Sequence, residues 1–434
     1  MTGMSRGACF KMKRSLIATI LFLLAAEVVA TAQTPQATEM PGSVFSIRKT
    51  WTIGGDGNWD YLTLDPSALR LYIAHGPTVQ VVDVNEGKVI GEVPGLRDAH
   101  EIALDDQGQY GYVSDGPADD VKVFDRESLE IVAKIPTGRN PRALVYEPST
   151  HLVFVVCPDT TSQESKIPRV NPAGQRITQS DPFAKSTVSV IDADKATHIA
   201  DILIRGKLGF AQTDGKGNVF INVTDRNQIV SFNANGIDPR ARHAAATANA
   251  AAASASAGGH ASHIADSVLA IDLTDTTHGE QPFSRSLHTF PLGQTCQAPR
   301  GLSIDSANER LFVACDNMKM QVLNSSSGDV VATLPIGAGT DAIGYDANHG
   351  LIYASNGGGV GSLTIIRQHL SDSYAVIQEL PTQARARTLA VNPNTGEVYL
   401  VTNVTGFDMT HKGGVGDLKP AALQGSFQVL VVGN

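Results

Sequence analysis

The chain has 434 residues, with 34 lysines and arginines against 43 aspartates and glutamates, a formal net charge of −9 and a hydrophobic share of 42%. That length exceeds one ordinary core and calls for several domains or an internal repeat. The acidic balance argues against a broad electrostatic grip on nucleic acid or an anionic membrane, while leaving room for a local basic pocket.

The N-terminus reads as a secretory leader. Lys11, Lys13 and Arg14 precede an apolar run from Leu16 to Val29, and Ala30-Thr31-Ala32 offers the small residues of a cleavage site, so residues 1–32 are expected to be removed near Ala32. The run is shorter than the roughly 20 apolar residues of a membrane-spanning helix. The expected product is a periplasmic or extracellular monomer with no membrane span and a flexible linker at 33–43. Loss of the leader removes Cys9 and leaves 30 basic and 42 acidic residues.

From residue 44 onward one cadence recurs. LTLDPSALRLYIAHG at 62–76, IALDDQGQYGYVSDG at 102–116 and LVYEPSTHLVFVVCPD at 144–159 each place a polar turn between two alternating apolar runs. The same holds for AQTDGKGNVFINVTD at 211–225, LSIDSANERLFVACDN at 302–317, IGYDANHGLIYASNG at 343–357 and LAVNPNTGEVYLVTN at 389–403. These are seven tight hairpins. Most continue into a third and a fourth run, as in VQVVDVNEGKVIGEVPG at 79–95. Turn residues Asp65, Asp105 and Glu147 lie 40 and 42 positions apart, a period belonging to radial repeats. The prediction is an all-β fold over 44–434, a seven-bladed β-propeller of four-stranded antiparallel blades. VFSIRKTWTI at 44–53 is expected to close the last blade beside FQVLVVG at 427–433.

The second-strand endings YVSD, FVACDN, YASN and YLVTN, with the fourth-strand TLPIG, resemble the YVTN-repeat, YncE-like seven-bladed propellers of bacteria. The resemblance covers about 44–434 and implies the fold far more than any activity. Similar seven-bladed propellers include sugar-lactone hydrolases, which makes a lactonase the enzymatic alternative, and some relatives suggest binding of single-stranded nucleic acid.

Three insertions, at about 158–186, 225–266 and 404–425, are expected between second and third strands and hence on one face, as a lid or partner surface. The second of them, which is rich in alanine and serine, opens with NQIVSFNANG, a run that reads alternatively as a short strand, and contains His243, His260 and His263, read as solvated rather than as metal ligands. Blade-start positions on that face carry Asp60, His100 with Glu101, Arg139 with Arg142, Arg300, Asp341, and Arg385 with Arg387. Second-strand ends add Asp115, Asp225, Asp316, Asn356 and Asn403. Asp60, His100, Arg142, Arg300, Asp341 and Arg387 are therefore the candidate ligand-binding residues, and guanidinium groups there suit a carboxylate or phosphate.

The first functional reading is a binding or interaction scaffold, holding a small anionic ligand or a protein partner at the channel mouth without metal or cofactor. The second is a lactonase using His100 as base. Nucleic acid ranks third, because the chain is acidic and lacks aromatic residues interleaved with basic ones. Strand alternation sets His100 and Glu101 on opposite faces, so both face the channel only if the strand is bulged there. Cys296 and Cys315 bracket the fifth hairpin, whose two ends are neighbours, and an oxidising compartment favours a disulfide between them. YncE-like sequences carry cysteines at matching positions. Cys157 is left as a buried free thiol.

Overall fold

The computed structural model describes residues 44–55, 57–158, 185–236, 269–272, 287–407 and 420–434. The leader and linker lie outside them, as do the three insertion histidines. Seven sheets, each built on four antiparallel strands, follow one another around a ring. Blade 1 runs Trp59–Asp65, Arg70–His75, Thr78–Asp83 and Lys88–Val93, and blade 2 runs Ala99–Leu104, Tyr110–Asp115, Asp120–Asp125 and Ile131–Pro136. The pattern repeats to blade 7, where Leu389–Val391, Val398–Phe407 and Pro420–Gly433 are completed by Ser46–Thr52. The predicted closure is thus present: Ser46 pairs with Gly433 and Thr52 with Gln428.

Two side-chain contacts fix the closing strand. Trp51 stacks on Tyr399 with ring centroids 5.7 Å apart. Gln378 of blade 6 brackets Phe45, accepting from its N–H at 2.9 Å and donating to its carbonyl at 2.8 Å. No described helix is long and apolar enough to cross a membrane.

Burial explains why the ring must close. Each neighbouring pair of blades shares one apolar cluster, from blades 1 and 2 around to blades 7 and 1. One aromatic residue of each second strand, Tyr72, Tyr112, Phe154, Phe220, Phe312, Tyr353 and Tyr399, is fully buried in these clusters. A blade removed from its neighbours would expose both faces, so the clusters are the stabilising unit.

The turn residues that set the sequence period close the inner hairpins. Asp65 accepts from Ser67 N at 3.0 Å and Ala68 N at 3.1 Å, and Asp346 accepts from Asn348 N and His349 N at 3.0 and 3.2 Å. The same turns knit adjacent blades. Asp65 pairs with Arg126, Glu147 accepts from Gly217 N at 2.9 Å, and Tyr345 donates to Asp305 at 3.1 Å. A short polar side chain that bonds its own backbone two or three residues on is the physical reason for Asp at this position.

Two expectations about the insertions are corrected. Gln228–Asn233, within the 225–266 span but readable in sequence as a short strand, is indeed a strand, the third of blade 4, and pairs with Asn218–Val223. The insertion therefore follows the third strand, before His288–Pro291, and leaves from the opposite face. Its segment Leu269–Asp272 adds a parallel fifth strand to the outer edge of blade 3 beside Thr197–Arg205. In blade 7 much of 404–425 is regular hairpin, since Thr405, Gly406 and Phe407 pair with Ala422, Ala421 and Pro420.

Phe312 lies 5.2 Å from Tyr345 and 6.1 Å from Tyr374 in the cluster between blades 5 and 6. Phe312→Ala is expected to cost about 3–5 kcal/mol, read by chemical denaturation. Burial opposes ionisation of Asp65 and Asp305, but hydrogen bonds outweigh it, from Ser67, Ala68 and Arg126 in one case and Asn308, Gln368 and Tyr345 in the other. Both carboxyls sit below their ordinary range. Their contribution is present above the unfolded carboxylate pKa of about 3.9 and is lost as pH falls through the folded values. The melting midpoint should fall below about pH 4, and Asp305→Asn should flatten part of that fall.

Candidate functional site

The start of the inner strands is where the repeat departs from regular alternation. In blade 2 Ala99 pairs with Asp115 and Ile102 with Val113, so three steps on the inner strand match two on its neighbour. Blades 1, 4 and 5 show the same bulge, between Trp59 and Leu62, Leu208 and Ala211, and Pro299 and Leu302. A bulge turns two consecutive side chains toward one face. This is the condition under which His100 and Glu101 both face inward: His100 lines the channel mouth, and Glu101 lines the channel beyond it.

At the mouth Asn58, Trp59, Asp60, Asp98, His100, Arg142, Arg385 and Arg387 surround a cavity of about 320 Å³. His100 Nδ1 lies 3.0 Å from Asp60 Oδ2 and 3.4 Å from Arg142 Nη1, while Nε2 lies 3.8 Å from Asp98 Oδ2. Arg387 reaches Asp341 at 3.1 Å and Asp60 at 3.9 Å. Arg385 holds its guanidinium 4.4 Å above the Trp59 ring on a backbone with φ of 70°, pinned by its N–H to Gly357 O at 2.8 Å. Neither Arg142 nor Arg385 has a carboxylate partner among the described residues.

The charges respond to this crowding. Burial lowers the Arg385 guanidinium from its ordinary value, and the positive charge of Arg387 adds to the effect. Burial raises the Asp341 carboxyl despite the opposing pull of Arg387 and Arg300. Burial also pushes Glu101 well above the usual carboxylate range, with Asp60 adding in the same direction against one hydrogen bond from Leu144 N–H.

Four of the six sequence-predicted residues, Asp60, His100, Arg142 and Arg387, thus share one cavity, and Asp341 adjoins it through Arg387. Arg300 does not join them. It forms a two-pronged pair with Asp316 of its own blade, at 3.0 and 2.8 Å. Asp115, expected in the charged ring, is fully buried. It bonds Lys122 at 3.0 Å and accepts from Arg97 N and Asp98 N, which positions the loop carrying Asp98. Asn356 is likewise a strand-end cap, bonded to Thr340 and Thr364. Asn58, Trp59 and Asp98 were not singled out in sequence. The usable signal was position, because each lies within two residues of a bulged blade start.

Just inside the mouth the channel is crossed by an aromatic pair. Tyr61 of blade 1 packs at a tilt against Phe210 of blade 4 with centroids 4.9 Å apart, and the Tyr61 hydroxyl donates to Asp341 O at 2.8 Å. No group of three or more His, Cys, Asp or Glu side chains among the described residues is placed to hold a metal ion. The predicted disulfide is present between Cys296 and Cys315, next to the Arg300–Asp316 pair, and Cys157 is a buried free thiol that burial raises to about 12.

No family model and no curated relative matches the chain. Among solved structures it is similar to the WD40 repeats of RRP9, at 9% identity and a TM-score of 0.58 over 90% of this chain and 98% of that one. It is similar also to a chain of the Mitotic Checkpoint Complex, at 13% identity and a TM-score of 0.53 over 93% of this chain and 100% of that one. The class is therefore a seven-bladed propeller with WD40-like structural neighbours, a likeness of fold alone.

Reduction of the disulfide, or the Cys296→Ser and Cys315→Ser pair, should lower stability by roughly 3 kcal/mol, as expected from the loop it closes. Denaturant curves with and without reductant measure it, and an unchanged midpoint would contradict that role.

Proposed function

We propose that this protein is an extracytoplasmic binding scaffold of the YVTN-repeat, YncE-like kind, holding a small anionic ligand at the channel mouth. The observation that carries the reading is that Arg142, Arg385 and Arg387 line one cavity, with no carboxylate partner for the first two among the described residues. Guanidinium groups crowded together are mutually unfavourable, and a carboxylate or phosphate relieves this while using their paired N–H donors. The disulfide, and a described chain without a membrane-spanning helix, are compatible with a location outside the cytoplasm. The propeller fold equally suits a protein partner presenting an acidic side chain to the same mouth, since fold does not choose among occupants.

The hydrolytic reading draws on the His100–Asp60 pair at 3.0 Å, an arrangement that can orient an imidazole as a base. Phosphate and citrate are the probes for the preferred reading. Titration calorimetry should show binding that weakens with salt and drops by about tenfold or more in Arg142→Ala and in Arg385→Ala. Absence of binding by either probe, or unchanged affinity in both variants, would overturn it. Sustained turnover of a lactone panel, lost in His100→Ala, would replace the scaffold with an enzyme.

A further inference from the structure

The mouth cavity carries charges of both signs, and some already have partners. His100 Nδ1 lies 3.0 Å from Asp60, and Arg387 reaches Asp341 at 3.1 Å. Arg142 and Arg385 have no carboxylate partner among the described residues. One acid is unmatched too. The Asp98 carboxylate accepts no hydrogen bond among the described residues, and its one ion-pair neighbour there is His100 Nε2, at 3.8 Å. Two consecutive residues of blade 2 fix the backbones of Arg142 and Asp98. Ser114 donates to Arg142 O at 2.6 Å, and Asp115 accepts from Asp98 N at 3.0 Å. Both are fully buried, and Asp115 is itself held by Lys122 at 3.0 Å. An unmatched cation and an unmatched anion thus meet opposite ends of one imidazole, since His100 Nδ1 lies 3.4 Å from Arg142 Nη1 while Nε2 faces Asp98.

We propose, on the anion-binding reading of this cavity, that the mouth takes an acidic amino acid, a small molecule with two carboxylates and one ammonium group. Those charges complement the two unmatched guanidinium groups and the one unmatched carboxylate. A simple anion suits Arg142 and Arg385 but meets Asp98, a like charge in a cavity of about 320 Å³. An ammonium group on the same molecule turns that repulsion into a charge-assisted hydrogen bond. A simple amine fails for the opposite reason, because it meets the guanidinium groups. Around the ring Arg385 enters with blade 7, Asp98 with blade 2 and Arg142 with blade 3. An α-ammonium beside its carboxylate therefore suits Asp98 and Arg142, and the side-chain carboxylate is left for Arg385. Backbones held in advance by Ser114 and Asp115 reduce the ordering that binding requires.

L-Glutamate and glutarate test this on the full chain, since they share both carboxylates and differ in the ammonium group. Calorimetry at neutral pH should show glutamate binding at least about tenfold more tightly than glutarate. Asp98→Asn should weaken glutamate by about the same factor and strengthen glutarate, because it removes an attraction from one and a repulsion from the other. A loss of structure would weaken both together, so the opposite signs separate recognition from misfolding. Equal affinity for the two compounds, tighter binding of glutarate, binding of neither, or a folded Asp98→Asn that weakens neither or both alike would each overturn the proposal. The first comparison uses the native chain and decides the matter even where the variant does not fold. Phosphate and citrate tell the two readings apart. If either binds while glutamate has no advantage over glutarate, only the ligand class falls; if none of the four binds, the anion-binding mouth falls with it.

Discussion

The structure depends on one constraint: a four-stranded blade has two apolar faces and cannot bury either alone. Every blade therefore packs on two neighbours, and the series ends only by meeting its own beginning. Ser46–Thr52 completes blade 7 for this reason, with Trp51 on Tyr399 and Phe45 clasped by Gln378. Without that strand the long Pro420–Gly433 strand would present an open edge. The fully buried aromatic residues of the second strands, from Tyr72 to Tyr353, fill the interfaces so formed.

Closure has a second consequence at the axis. Inner strands that converge on a ring leave little room, and several begin with a bulge that aims two successive side chains inward. One set, Asp60 and His100, builds the charged mouth together with Arg142 and Arg387, which lie just before two further inner strands. The next set supplies Tyr61, Glu101 and Phe210, which line the channel beyond the mouth. An arginine-rich mouth and an inner lining without lysine or arginine thus come from neighbouring positions in sequence. Burial then acts on both, lowering Arg385 and raising Glu101, because removal from water disfavours whichever form is charged.

Much of this was legible without coordinates. The polar turn before each second strand announced itself because Asp65, Glu147, Asp305 and Asp346 bond their own backbone, a local requirement that recurs with each blade. The cysteines flanking the fifth hairpin were likewise readable, since hairpin geometry brings its two ends together. What escaped were departures from regular alternation. The bulge at His100–Glu101 has no residue signature of its own, and Gln228–Asn233 reads either as a strand or as the start of an insertion because a long alanine- and serine-rich tract follows it.

The sequence by itself determined the repeat, the number of blades, the closing strand and the disulfide, because each rests on patterns within one hairpin or on the count of hairpins. Tertiary structure alone decided which charges remain available. Arg300 and Arg142 look alike in sequence, each at a blade start, yet Arg300 is held by Asp316 while Arg142 lies beside His100 in the shared cavity. That difference arises across the ring, where the partners of a side chain are set by residues tens to hundreds of positions away. No local period encodes such a meeting, and only the closed ring brings it about.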